Sequence, residues 1–489
     1  MKAPLRAPVV GAVGLAVMGM GLVAACSSSG STAHTASSTT AASSAPPTSA
    51  ATSTAVSASA VAPSSSSGSP LASLSSPGSP LASSSSAGSP LTSVGTSPVT
   101  LHIFADTGTA TTVQQLVPGF EKAYPNVTVK IASEGFSDFY KALPLTLASG
   151  NSADLVAIPA VTNLAKDHLL YNLNPYAQAY GWNNVYSSGQ LGDYSVGSDL
   201  TTLGGNQLIA LPGGYYVVGI YWNKTLGAKI GMTAPPTTLA EFQSDLAKAK
   251  AAGELPIQLG NSDASGQWIL QEAAQSLAGS ASVRSWIYGQ PGSTFSAPGD
   301  LQAATLLQTW VKDGYTPPAT TVSGQSGADA AGLFSKGQGL FIFDGNWDAT
   351  TLGKALGSNV GYFSFPGPMG VAPVGSSALG VSAKTKIPNV AAAFLNYFHA
   401  PAADQVWFNA GQIPEDVSKL TPSSNSVAND VATAYVKIHA DNGAVPALSN
   451  ATSSMLDTLR QNIDQLVAGG ETPSALLSAL ETDWKKSHG

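Results

Sequence analysis

Charged side chains are scarce in this chain of 489 residues. Asp, Glu, Lys and Arg together make up 10% of it and leave a net charge of −7, whereas an ordinary soluble domain is roughly 25% charged. Beyond residue 26 the only arginines are Arg284 and Arg460. A nucleic-acid-binding protein needs a basic patch, so that class of protein is excluded. Recognition of an anionic group by paired Arg side chains is not expected either.

Cysteine is nearly absent as well. The single cysteine, Cys26, excludes an intrachain disulfide bond and any zinc site built from several cysteines. The six histidines are scattered without the HExxH spacing of a zinc protease, and the GxSxG motif of serine esterases does not occur. These absences argue against a zinc protease and a serine esterase, whereas a glycosidase needs only two carboxylates, which composition does not test. The expectation for this chain is no catalytic residue, no metal site and no cofactor.

Residues 1–26 have the pattern of a secretory signal. Lys2 and Arg6 precede an apolar run from Val9 to Ala24, which is too short and too rich in glycine for a stop-transfer helix. The run ends in Leu-Val-Ala-Ala before Cys26 and thereby resembles a bacterial lipoprotein signal. This resemblance implies that Cys26 is lipidated and anchors the protein on the extracellular face of the cell membrane. A plain signal peptide with a chance cysteine is the alternative.

Residues 27–98 contain no Asp, Glu, Lys or Arg and are rich in serine. Such a segment buries too little apolar surface to offset the loss of chain entropy on folding, so it is predicted to be a disordered linker. A ten-residue unit beginning Gly-Ser-Pro-Leu recurs in it from Gly68, Gly78 and Gly88. As a flexible coil the linker spans roughly 45–50 Å, which lets the folded part move above a bilayer while it stays attached.

Beyond the linker, strand and helix patterns alternate. Val99–Phe104 and Val127–Ile131 are predicted strands, and apolar residues spaced as one helical face, from Val113 to Tyr124, predict a helix between them. Such a βαβ unit implies a parallel sheet with a right-handed crossover. The sequence therefore predicts an α/β fold.

Several segments resemble, in the same order, those of a known family. They include PGFEKAYPNVTVKI, ALPGGYYVVGIYWNKTLGAKIGM, FSKGQGLFIFDGNWDATTL and ALGVSAKTKIPNVAAAFLNYF. The chain from residue 99 onward thus resembles the extracellular solute-binding proteins of family 1, the maltose-binding-protein-like receptors of sugar ABC importers. The resemblance implies a two-lobed periplasmic-binding-protein-like fold of type II, in which each lobe is a mixed sheet flanked by helices. Lobe one is expected at 99–211 plus 368–412, and lobe two at 212–367 plus 413–489.

The resemblance also implies a function. Members of this kind capture a carbohydrate, a mono- or oligosaccharide, by closure of the lobes and deliver it to the permease subunits of an ABC transporter. We therefore expect a membrane-anchored extracellular binding protein that is monomeric and not an enzyme. Two alternatives stay open: a secreted hydrolase acting on glycans, or the same fold with a ferric ion, a polyamine or a phosphonate as ligand. The scarcity of arginine favours a neutral ligand.

Sugar sites combine aromatic faces, which cover the CH groups of the ring, with planar polar side chains that bind its hydroxyls. In open α/β sheets ligands lie beyond the carboxyl ends of strands, so residues just after predicted strands are the candidates. Trp347 is the strongest because it follows the strand Leu340–Phe343 and stands where family members commonly place a sugar-stacking tryptophan. The full set of candidate ligand-binding residues is Trp347, Asn346, Gly345, Asp106, Glu134, Phe136, Tyr215, Tyr216, Gln267 and Trp268.

Each candidate also has a purely structural interpretation. The two tryptophans fit packing at the start of a helix, and the two acids fit helix N-capping or a solvated surface. Of Tyr215 and Tyr216, one is expected to face the cleft and the other the core. Maltodextrin-type relatives carry a further aromatic residue near the start of the penultimate helix, where this chain has Ser453-Ser454-Met455-Leu456. This difference favours a mono- or disaccharide.

Overall fold

The computed structural model describes residues 91–149, 153–159, 161–417, 420–423 and 426–489. The predicted signal peptide, Cys26 and most of the predicted linker lie outside these residues. No helix in the described ranges is long and apolar enough to span a membrane.

Strands and helices alternate at the start of the described chain, as the sequence predicts, whereas several helices or several strands follow one another further on. The strands are β1 Val99–Asp106, β2 Val127–Glu134, β3 Leu155–Ala157, β4 Ser195–Val196, β5 Gln207–Leu208, β6 Tyr215–Asn223, β7 Ile257–Gln258, β8 Phe341–Gly345, β9 Val360–Phe363, β10 Ala372–Ser376, β11 Leu379–Val381 and β12 Ala444–Val445. The helices of the first half are α1 Thr107–Ala123, α2 Phe136–Ser149, α3 Val161–Lys166, α4 Asn174–Tyr180, α5 Ser188–Gly192, α6 Lys224–Lys229, α7 Leu239–Ala251, α8 Gln267–Ala274 and α9 Ser280–Ile287. Those that follow are α10 Pro298–Lys312, α11 Ala319–Gly324, α12 Gly327–Phe334, α13 Ala349–Leu356, α14 Pro388–Tyr397, α15 Pro401–Asn409, α16 Ser426–Ala440, α17 Met455–Val467 and α18 Pro473–His488.

The first sheet has four strands in the order β11-β3-β1-β2. Strands β1, β2 and β3 are parallel, and β11 runs antiparallel to β3. The predicted βαβ unit is present, with α1 joining β1 to β2. The Asp106 side chain caps α1 by accepting a hydrogen bond from the Thr109 amide at 3.0 Å, which satisfies one of the free N–H groups at the helix start.

The second sheet is centred on the nine-residue strand β6. Its order is β12-β10-β6-β8-β7, and β9 pairs with the end of β6. Alternate residues of β6 face opposite sides of the sheet, so Val217 and Tyr221 pack in one apolar cluster while Ile220 and Trp222 pack in another. Both faces of this sheet are therefore buried, and it is a mixed sheet between two layers of packing.

Separate hydrophobic cores define two lobes. One core gathers residues between Leu101 and Leu211 and between Ala378 and Trp407. The other two cores lie on the two faces of the second sheet. They contain residues between Tyr215 and Val374 and, after the chain has returned from lobe one, residues between Phe408 and Trp484. The chain therefore passes between the lobes more than once. The predicted two-lobed α/β fold, with a mixed sheet in each lobe, is confirmed.

The predicted boundary at residue 368 needs correction. Strand β10 pairs antiparallel with β6, Val374 lying opposite Val217 and Ser376 opposite Tyr215. Residues 372–376 therefore belong to lobe two, and the chain re-enters lobe one only after them. A short apolar strand fits either sheet by composition, so its hydrogen-bonding partner decides the lobe.

The folded part also begins earlier than residue 99. The Asn126 side chain donates a hydrogen bond to the Ser97 carbonyl at 3.1 Å, and the Asn389 side chain donates one to the Ser93 carbonyl at 3.2 Å. Val94 packs against the lobe-one core. The last residues of the predicted linker are thus held on lobe one by amide side chains distant in sequence.

Between the lobes lies a small cavity, called the cleft below, which is lined by Asp193 and Tyr194 of lobe one and by Tyr216 and Gly375 of lobe two. The parallel strands β1 and β2 end together at Asp106 and Glu134. In lobe two, β8 ends at Gly345 beside the start of β6. The lobes also touch where the Tyr140 hydroxyl of α2 lies 3.5 Å from the Ser453 carbonyl.

Candidate functional site

Three aromatic rings form a cluster on the lobe-two side of the cleft. Trp347 lies in the short 3₁₀ turn that follows β8. Its ring centroid is 5.7 Å from that of Tyr216, in an edge-to-face arrangement, and 6.1 Å from that of Trp268. Trp347 nevertheless keeps 43% of its surface exposed. These three residues, called the aromatic cluster below, support one another and leave the Trp347 indole partly exposed beside Tyr216, which lines the cleft.

Two glycines make the aromatic cluster possible. A Cβ atom at Gly345 would overlap the Trp347 ring, and one at Gly375 would overlap the Tyr216 ring. Gly375 stands opposite Tyr216 on β10. The predicted candidate Gly345 therefore contributes space for an indole, because glycine is the one residue that allows a ring to lie directly on the backbone.

Asp106 lies close to the aromatic cluster although it belongs to lobe one. Burial and, in second place, the negative charge of Asp106 raise the pKa of the Tyr216 hydroxyl above its usual range. The same carboxylate caps α1 through Thr109. The N-capping interpretation of Asp106 thus holds, and the residue also contributes a negative charge to the cleft.

Glu134 ends β2 of lobe one, and Phe136 lies two residues further along the chain. Glu134 is exposed, and Phe136, the first residue of α2, is 50% exposed. The Phe136 ring lies 6.2 Å from that of Tyr140 one turn along the helix. Lobe one therefore presents an exposed ring and a solvated carboxylate at the end of its sheet.

Asn346 was expected to offer donor groups to a ligand, and the structure corrects this. The residue has no exposed surface. Its Oδ1 accepts a hydrogen bond from the Val217 amide at 2.9 Å, and its Nδ2 donates to the carbonyls of Gly411 and Tyr215 at 2.7 and 3.3 Å. Its amide is therefore used within the protein, where it holds β6 against a segment that crosses between the lobes.

Tyr215 and Gln267 are also buried, so neither reaches the cleft surface. Tyr215 is 3% exposed and faces the lobe-two core, 5.9 Å from the Tyr435 ring. Gln267 is 2% exposed, and its Oε1 accepts a hydrogen bond from the Ser449 amide. Tyr215 and Tyr216 point to opposite faces of β6, so these two phenols do not jointly provide ligands for a ferric ion. Within the described ranges, no group of three or more His, Cys, Asp or Glu residues is arranged so that it could hold a metal ion.

Sequence reasoning missed cleft residues that follow short or irregular elements. Asp193 ends the five-residue helix α5, and Asn450 lies in a 3₁₀ turn after the two-residue strand β12. Both line a cavity of about 20 Å³ between the lobes, together with Tyr216. No periodic pattern identifies elements of this length. Met455, in the segment where some relatives carry an aromatic residue, is fully buried in the lobe-two core.

This architecture is that of a two-lobed binding protein. Crossing segments connect two α/β lobes, and an exposed indole lies beside the cleft between them. The sequence profile of the bacterial extracellular solute-binding proteins matches residues 105–405. The chain belongs to this family.

Relatives and solved structures agree with this assignment. The chain is 25% identical over 330 residues to the multiple sugar-binding protein of Streptococcus mutans, covering 64% of this chain and 74% of that protein. A chitin oligosaccharide binding protein superposes with a TM-score of 0.67 at 21% identity, covering 80% of this chain and 99% of that one. Maltose-bound MalE3 of T. maritima superposes with a TM-score of 0.65 at 17% identity, covering 79% and 99%. At these identities the superpositions describe a shared fold.

Proposed function

We propose that this protein is the substrate-binding component of an ABC importer and captures a neutral carbohydrate between its lobes. The aromatic cluster is the observation that carries the proposal. An exposed indole backed by two further rings is the surface that the CH face of a sugar ring packs against. Phe136 on the opposite lobe offers a second ring to a ligand bound in the cleft.

The charges around the cleft support a neutral ligand. Asp106 and Glu134 are acidic, so an anionic ligand would be repelled, whereas sugar hydroxyls donate hydrogen bonds to carboxylates. The Arg284 guanidinium donates to the carbonyls of Asn442 and Ala444 and is thereby engaged within the protein. The sugar-binding name of the Streptococcus mutans relative supports the same ligand class.

Delivery to permease subunits and lipid anchoring through Cys26 complete the proposal. The family description as extracellular supports an export signal, and the Leu-Val-Ala-Ala-Cys segment supports lipidation. An anchored receptor needs reach, which a long uncharged linker provides. One chain with one cleft suffices for this role, so the protein is proposed to act as a monomer.

Isothermal titration calorimetry with galactose, maltose, raffinose, chitobiose and xylobiose tests the carbohydrate function. Binding of at least one of these saccharides is expected. Trp347→Ala should weaken it at least tenfold, about 1–3 kcal/mol for loss of a packed aromatic contact. Tyr171→Ala is the matched control, because Tyr171 is an exposed aromatic whose amide bonds to the Val381 carbonyl, at the other edge of the first sheet. Absence of heat with every saccharide would refute the proposal.

A further inference from the structure

Helix α8 of lobe two carries a row of buried glutamines. Gln267 and Gln271 lie four residues apart in the helix, Gln275 follows directly after it, and none of the three is more than 2% exposed. Residues four apart lie on the same face of a helix. A buried side-chain amide needs hydrogen-bond partners, and the partners of these glutamines include the backbone of residues 443–449.

Two of the glutamines hold a short turn that follows β12. Gln271 Oε1 accepts a hydrogen bond from the Leu448 amide at 2.8 Å, and its Nε2 donates one to the Pro446 carbonyl at 2.7 Å. One helical turn earlier, Gln267 Oε1 accepts a hydrogen bond from the Ser449 amide at 3.2 Å. The first amides of a helical turn have no acceptor within it, so the two glutamines supply the missing acceptors.

The turn held in this way forms part of the cleft wall. Pro446 and Asn450 both line the cleft beside Tyr216, and Asn450 is the last residue of the turn. Asn450 is half-buried, and in the described part of the chain its side-chain amide has no hydrogen-bond partner. Because an amide side chain both donates and accepts hydrogen bonds, it suits two adjacent hydroxyl groups of a sugar ring.

Helix α8 supports the aromatic cluster as well. Trp268, the residue after Gln267, has its ring centroid 6.1 Å from that of Trp347. One helix thus holds both a ring that backs the exposed indole and the turn that ends in Asn450. The distance between the stacking surface and the free amide is therefore set by α8.

We propose that Gln267 and Gln271 are positioning residues that fix Asn450 in the cleft, where its amide binds two adjacent hydroxyl groups of the ligand. The ligand part of this inference rests on the proposed function, whereas the hydrogen bonds that hold the turn do not. Loss of a glutamine leaves buried backbone groups without partners, so the turn loosens. Asn450 then loses its place, and affinity for the ligand falls.

Hydrogen–deuterium exchange of the full chain, followed by mass spectrometry, tests the hold on the turn without any ligand. Gln271→Met removes two hydrogen bonds and keeps an unbranched side chain of similar length. The amides of residues 447–450 should then exchange about tenfold faster than in the parent. Gln267→Met should speed exchange at Ser449, and it serves as the second variant if Gln271→Met does not fold. Unchanged exchange in the folded variants overturns the inference.

Titration calorimetry tests the effect on binding, with each of the five saccharides that the parent binds. Gln271→Met and Asn450→Ala should each weaken the affinity about tenfold. Gln275→Met is the matched control, because this glutamine is equally buried but donates to the carbonyls of Gly443 and Ala372, which lie outside the turn. Its affinity should match that of the parent.

A double substitution decides whether Gln271 acts through Asn450. If it does, Gln271→Met combined with Asn450→Ala should bind about as tightly as Asn450→Ala alone, since the contact that Gln271 positions is already lost. A loss of about a hundredfold, the product of the single effects, overturns the positioning role. A loss for Gln275→Met equal to that for Gln271→Met overturns it too, because any loosening of lobe two would then weaken binding.

The exchange measurement separates this inference from the carbohydrate function. If none of the five saccharides binds but exchange in the turn responds as expected, the carbohydrate function and the ligand contact of Asn450 fail while the hold on the turn stands. If a saccharide binds and Asn450→Ala leaves its affinity unchanged, the ligand contact is refuted and the carbohydrate function stands.

Discussion

The Tyr216 ring lies directly on the backbone of Gly375, its neighbour on strand β10. No side chain fits between them. The position of the ring, and through it that of Trp347, therefore depends on the absence of a single Cβ atom.

Gly375→Ala is expected to displace the Tyr216 ring. Overpacking of this kind costs about 1–3 kcal/mol of unfolding free energy, and the change next to Trp347 should alter tryptophan fluorescence. Thermal unfolding and emission spectra check both effects. Gly332→Ala is the control, because a Cβ atom there, in α12, meets nothing within 4 Å. Equal melting temperatures for Gly375→Ala and the parent would contradict the prediction.

Asn346→Ala should loosen the connection between β6 and the crossing segment. The substitution removes hydrogen bonds to the Val217 amide and to the carbonyls of Gly411 and Tyr215, and it leaves those groups buried. We expect a loss of about 2–4 kcal/mol in urea unfolding. The exposed Asn359→Ala should change stability by less than about 0.5 kcal/mol. A loss for Asn346→Ala no larger than this control would show that the buried amide is not structural.

Glu272 should make the folded protein less stable as the pH rises. The residue is fully buried in α8, and its carboxyl oxygens have no hydrogen-bond partner in the described part of the chain. Burial raises the pKa of Glu272 well above its ordinary value of 4.5. Its stability contribution is therefore complete below that value and falls as the pH rises towards the folded-state pKa, by roughly 1.4 kcal/mol per pH unit.

Glu272→Gln removes this proton-linked term. Between pH 5 and pH 8, the free energy of unfolding of the variant should fall less than that of the parent, as measured by urea unfolding at both values. Glu254→Gln, which removes a surface ion pair with Lys229, should keep the pH dependence of the parent. Parallel curves for Glu272→Gln and the parent would mean that Glu272 is ionised in the folded state.

Cys26→Ser should release the protein from the membrane. Without the thiol no lipid is attached, and the remaining signal alone does not provide stable anchoring. Fractionation of producing cells should find the variant in the medium and the parent in the membrane fraction. Ser37→Ala, a change within the same uncharged segment, should behave as the parent. Equal membrane association of Cys26→Ser and the parent would favour the plain signal peptide.

The sequence predicted the architecture well because the relevant patterns are local. Strand β1, helix α1 and strand β2 follow from the spacing of apolar residues. Trp347 was identified from its position after an apolar strand. In each case a few neighbouring residues contain the whole signal.

The division of candidates between cleft and core was not predictable to the same degree. Tyr215 and Tyr216 were recognised as pointing opposite ways, but only the packing against Tyr435 decides which one is buried. Asn346 fits a ligand-binding residue until its partners, more than sixty residues away in either direction, are known. Asp193 has no strand before it and no motif around it.

By itself the amino-acid sequence determined the α/β class, the order of the first strands and helices, and the expectation of a neutral ligand, since periodicity and charge are properties of the chain alone. Only the tertiary structure decided which polar side chains form hydrogen bonds with distant backbone groups and which remain accessible to a ligand. The reason is that hydrogen bonds across lobes and sheets depend on distances between residues far apart in the chain, and no local pattern encodes those distances.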